Sequence, residues 1–127
     1  IWFLSDNGGA TGNASSNLPL VGFKGIKFEG GIRVPFVMHW KNRFPQGRVF
    51  NSMVSTLDIL PTCVAAAGGD PSSERPLDGV NLLPFLDSPQ KTVPHEKLFW
   101  HKLWFSAMRE GPWKLIYFQD YGYALYN

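Results

Sequence analysis

The sequence has a single cysteine, Cys63, in 127 residues, so no internal disulfide can staple the chain and no multi-cysteine zinc site can form. Apolar runs of the ~20 residues that cross a bilayer are missing; the longest, at 1–4 and 34–38, stop far short. An excess of one charge is missing too. Twelve Lys and Arg stand against ten Asp and Glu, and the basic residues are scattered, which leaves no electrostatic footprint for nucleic acid. Without an internal repeat or a low-complexity tract, solenoid and array architectures drop out.

What remains is a globular composition, 44% hydrophobic and 17% charged, able to pack a core. The length allows one domain or parts of two, and is short for a complete hydrolytic site on a large α/β sheet. The chain opens without Met, on a strand-like run and with no signal-type leader, so it is expected to be a piece of a longer protein.

Ile1-Trp2-Phe3-Leu4 is expected to form a strand buried on both faces, stopped by the tight turn Ser5-Asp6-Asn7-Gly8-Gly9. Residues 10–19 are small and polar. Gly22, Gly25, Gly30 and Gly31 then punctuate a site-building loop that holds Lys24, Lys27, Glu29 and Arg33. A second strand is expected over 34–40, with Pro35 near its start and a turn around Pro45-Gln46-Gly47. Residues 55–67 read as a helix, capped by Ser55 and Asp58, with Pro61 in its first turn and Gly68-Gly69 as the stop. A short apolar segment at 82–86 and a linker over 87–96 place a boundary near residue 90. The aromatic and β-branched stretches 98–103, 105–109 and 113–118, with the turn Glu110-Gly111-Pro112, predict an antiparallel meander.

Asp6 and Asn7 stand where the first strand ends, and open α/β sheets bind ligands at the carboxyl ends of their strands. A carboxylate beside an amide oxygen suits Ca²⁺ or Mg²⁺, although two ligands of six or more do not make a site; taken alone, Asp-Asn-Gly-Gly reads as an ordinary turn. Lys24 lies between Gly22 and Gly25, where bare backbone can approach a ligand and an ammonium can meet an oxyanion. It could equally be a solvated surface lysine, and Glu29 with Arg33 a local salt bridge. His39, His95 and His101 lack metal-motif spacing. Cys63 is expected to be buried on its helix as a small hydrophobe and is not a nucleophile.

Taken in order, Ser5-Asp6-Asn7-Gly8-Gly9, Gly22-Phe23-Lys24-Gly25, Phe28-Glu29-Gly30-Gly31-Ile32-Arg33-Val34-Pro35, Asp58-Ile59-Leu60-Pro61-Thr62, Ala66-Ala67-Gly68, Leu77-Asp78-Gly79-Val80, Arg109-Glu110-Gly111-Pro112-Trp113-Lys114-Leu115-Ile116 and Leu125-Tyr126-Asn127 resemble the sulfatase family over nearly the whole chain. The resemblance implies an α/β fold. Residues 1–90 would be the C-terminal part of the catalytic sheet domain, and 91–127 the start of a small antiparallel β-sheet subdomain. It implies that Asp6 and Asn7 bind a divalent cation, usually Ca²⁺, and that Lys24 contacts the sulfate of a sulfate ester.

The family's nucleophile is a formylglycine made from a Cys or Ser in a Cys/Ser-x-Pro-x-Arg context, which Cys63 lacks; the paired aspartates and the central Lys and His are missing as well and would lie upstream. The mechanism implied for the parent is attack of the hydrated formylglycine oxygen on sulfur, with metal and Lys24 neutralising the sulfate oxygens. The chain alone is then expected to be inactive. Two other readings stay open: a phosphodiesterase or phosphonate hydrolase of the same superfamily, and a non-catalytic sulfatase-like protein that binds a sulfated glycan or a partner. An exposed strand edge at 1–4 predicts self-association. The family implies an exported parent, periplasmic or secreted, or lysosomal with Asn13-Ala14-Ser15 as a glycosylation sequon if the source is eukaryotic.

Overall fold

The structure, a computed structural model, describes residues 1–72, 75–88 and 92–127. Among the described residues, six strands and three α-helices follow in the order β1 (Trp2–Leu4), α1 (Glu29–Ile32), β2 (Phe36–Met38), α2 (Ile59–Ala66), α3 (Leu83–Asp87), β3 (Lys97–Lys102), β4 (Phe105–Glu110), β5 (Trp113–Phe118) and β6 (Gly122–Tyr126). This is a mixed α/β chain with a two-stranded sheet, β1-β2, and a four-stranded antiparallel sheet, β3-β4-β5-β6. It divides into two compact units, one of residues 1–47 with 99–127 and one of 48–98. The boundary expected near residue 90 falls at 89–91, outside the described residues.

In the first unit, β1 pairs antiparallel with β2, with Trp2 opposite Met38 and Phe3 opposite Val37. The expectation that β1 is buried on both faces does not hold. Phe3 is 69% exposed and Val37 53%, because strand side chains alternate and a two-stranded ribbon covers only the Trp2 and Leu4 face. The four-stranded sheet supplies the core. Alternation along β4 and β5 buries Phe105, Ala107 and Ile116, against which Ile26, Phe28, Trp100 and Phe118 pack. Phe105 and Phe118 stack with ring centroids 4.1 Å apart, and Phe28 meets Phe105, Phe118 and Tyr126 at 5.8–6.3 Å, within the range of favourable aromatic pairs. Phe28 thereby fastens the glycine-rich segment to the sheet. The meander has a fourth strand, β6, that the sequence did not mark, with Ile116 opposite Ala124.

In the second unit a single 3₁₀ turn, Thr56–Asp58, leads into α2 through a capping box. The Ser55 hydroxyl accepts from Leu57 N–H, and the Asp58 carboxylate accepts from Ser55 N–H. Pro61 sits in the first turn of α2, where its missing N–H costs no intrahelical bond. Gly68, at φ +81, ends the helix. Cys63 is exposed, not buried as expected. At 100° per residue the helix turns Pro61 and Thr62 inward and carries Leu60 and Cys63 to the open side. The apolar segment at 82–86 proves to be helical, as α3 with Pro84 in its first turn.

Candidate functional site

The turn after β1 is tied down by backbone bonds: Ser5 N–H donates to Pro35 O at 3.2 Å and Gly8 N–H to Gly31 O at 3.0 Å. Asn17 holds the next stretch. Its Oδ1 accepts from Gly9 N–H at 2.7 Å, and its Nδ2 donates to both Gly9 O and Gly22 O at 3.0 Å. Lys24 N–H closes the arrangement on Gly9 O at 3.1 Å. The loop carrying Asp6-Asn7 and the loop carrying Lys24 are therefore joined along their backbones, although eighteen positions separate Asp6 from Lys24.

The glycines of the second loop are needed for this. Gly22 adopts φ +107, a conformation that side-chain-bearing residues rarely take. Gly31 lies flush against the carbonyls of Ile26 and Phe23, so a Cβ there would overlap backbone. The same stretch bounds a cavity of about 310 Å³ lined by residues that include Ser15, Ser16, Asn17 and Phe23.

The side chains of Asp6 and Lys24 are exposed and make no hydrogen bond or ion pair among the described residues. Asn7 donates through Nδ2 to Gly8 O, which leaves its Oδ1 without a donor. The Asp6 carboxylate and Asn7 Oδ1, both uncommitted, fit part of the shell of a hard cation. Among the described residues, no three His, Cys, Asp or Glu gather into a metal-binding group.

Two further groups were missed by sequence reasoning. Glu29, read as the partner of Arg33, lies only 3.9 Å from it and makes closer pairs with Arg109 at 2.8 Å and Lys114 at 2.7 Å. Burial lowers the Lys114 pKa, and the contact with Glu29 partly restores it. In the second unit His95 Nε2 reaches both oxygens of the fully buried Asp58 at 2.9 Å. That carboxylate also accepts from Val80 N–H at 2.9 Å and Ser55 N–H at 2.7 Å. Thr62 Oγ1 donates to Asp58 O and accepts from Leu82 N–H, which ties α2 to the start of α3. The only available signals were one Asp and one His 37 positions apart, with no local spacing to link them.

The sulfatase family model matches residues 1–69. Human arylsulfatase D is 37% identical over 106 residues, covering 77% of this chain and 18% of that protein. Mouse steryl-sulfatase is 33% identical over 131 residues, covering 93% of this chain and 21% of that protein. This chain thus spans about a fifth of the length of these curated relatives. The crystal structure of Ps i-CgsB in complex with k-i-k-neocarrahexaose superposes with a TM-score of 0.85 at 34% identity, covering 99% of this chain and 29% of that one. With a family match over more than half its length and close agreement in backbone, the chain belongs to the sulfatase family.

Proposed function

We propose that this chain supplies part of the cation and sulfate clamp of a sulfate-ester hydrolase. Asp6 and Asn7 serve as two of the ligands of a divalent cation, Ca²⁺ or Mg²⁺, and Lys24 binds the sulfate. The observation that carries this reading is the backbone bond from Lys24 to Gly9, which fixes the Lys24 loop to the Asp6-Asn7 turn while the Asp6 carboxylate and the Lys24 ammonium stay exposed and uncommitted. The ammonium would meet sulfate oxygens as charge shifts toward the leaving group, the moment at which a preorganised positive charge is worth most. The cation, when bound, supplies charge neutralisation at the same oxygens. The backbone bonds that join the two loops would limit the reorganisation needed on binding.

No Cys or Ser of the 127 residues stands in the x-Pro-x-Arg context of the family's nucleophile, so the chain on its own is expected to be inactive. Assays of the chain and of the whole protein on an aryl sulfate and on a phosphodiester test this reading. Aryl sulfate turnover by the whole protein alone, lowered steeply but still measurable in Lys24→Ala, supports it. Metal-dependent turnover by the chain alone overturns the partial clamp, preference for the phosphodiester points to the related hydrolase, and no turnover of either points to a binding protein. We further propose an exported parent, periplasmic or secreted, or lysosomal if the source is eukaryotic.

A further inference from the structure

We infer that Glu29 is a positioning residue that fixes Lys24 through α1, held from behind by Arg109 and Lys114. This rests on the sulfate-binding role proposed for Lys24. Helix α1 is a single turn of four residues, two of them glycine, too short and too pliable to hold its own shape. Its first residue is gripped from the sheet. Glu29 Oε1 accepts from Lys114 Nζ at 2.7 Å and Oε2 from Arg109 Nη1 at 2.8 Å. Arg109 and Lys114 face each other across the β4-β5 ladder, so the hairpin presents two cations at a spacing set by its own hydrogen bonds, one for each carboxylate oxygen.

The opposite side of α1 supports the Lys24 loop. Gly30 N–H donates to Val21 O at 2.8 Å, and Gly31 lies against the carbonyls of Phe23 and Ile26, the residues that bracket Lys24 and Gly25. With bare glycine backbone in contact on that side and a part-buried ion pair on the other, a shift of Glu29 passes to the Lys24 backbone with no flexible side chain to absorb it. Lys114 is buried and has Glu29 as its carboxylate partner, so the grip is not readily exchanged for water.

The test is a double-mutant cycle in the whole protein. Glu29→Gln is expected to lower kcat/KM on an aryl sulfate by about 10²-fold at an unchanged folded fraction, and to add no further loss in a Lys24→Ala background. Arg109→Gln, which leaves Lys114 paired, should show a smaller loss in the same direction, and Lys114→Arg should retain most of the activity. Losses that multiply independently of Lys24, or that follow the unfolded fraction, overturn the inference. Amide hydrogen exchange gives a second readout that needs no turnover. Glu29→Gln should speed exchange at Lys24 and Gly30 while sparing the β4-β5 ladder, and unchanged exchange overturns the inference. Faster exchange in a protein that turns over no sulfate ester would sink the sulfate-ester hydrolase reading and leave the Glu29 grip on α1 standing.

Discussion

Replacing Asp58 by Ala should cost this chain a large share of its stability. The carboxylate is fully buried, accepts two backbone N–H groups at 2.7 and 2.9 Å, and meets His95 Nε2 at 2.9 Å. Removing it strands the donors of Ser55 and Val80, each costing ~1–3 kcal/mol when buried and unpaired. The His95 contact is lost as well. Because the three bonds share one acceptor they do not add in full, and ~3–5 kcal/mol is expected in total, against a usual total stability of ~5–15 kcal/mol. At ~2 kcal/mol per molar, a usual urea slope, the denaturation midpoint should fall by ~1.5–2.5 M with the slope unchanged. Asp58→Asn keeps the volume but turns an amide N–H₂ toward one of the two backbone donors, so it should lose ~2–3 kcal/mol in place of being tolerated. A midpoint drop below ~0.5 M for both variants would show that water satisfies these donors, and the network argument would fail.

Lys27 is buried, and its pKa is lowered, first by burial and then by Lys102. Below the ordinary lysine value of 10.5 the unfolded chain therefore holds a proton that the folded chain releases more easily. Stability should rise with pH between the folded and unfolded values, and Lys27→Met should flatten that rise in alkaline thermal melts; an unchanged slope would refute the assignment. The Phe3 and Val37 face of the β1-β2 ribbon is exposed and β1 has a single neighbour, so concentration-dependent self-association is expected, weakened by Phe3→Lys. A monomer at high concentration in light scattering would rule it out.

Of the helix expected over 55–67, residues 59–66 are α-helical and Ser55 and Asp58 form the capping box of the 3₁₀ turn before them; these and the β4-β5 hairpin were legible because each rests on local rules: capping geometry, helix stops, alternation and a Gly-Pro turn. The loops of Asp6, Asn7 and Lys24 were legible from residue order. Their joining through Asn17 and Gly9 was not, because a side chain standing in for a ladder partner leaves no periodic trace. Strand β1 reads as buried from its four apolar residues, yet burial needs a covering layer that this ribbon does not supply for Phe3. Strand β6 was missed because its alternation, with Tyr123 and Leu125 on the exposed side, is brief and follows a turn at Asp120 and Tyr121. The Glu29 ion pairs and the Asp58–His95 contact link residues 37 to 85 positions apart, beyond the reach of any window read along the chain.

The bonds from Glu29 to residues 80 and 85 positions later also order events during synthesis. The Lys24 loop leaves the ribosome well before the hairpin that holds its supporting turn, so its final shape must wait for that hairpin to form. A defect in β4 or β5 would then act at a distance, leaving Lys24 chemically intact but without the brace that sets it.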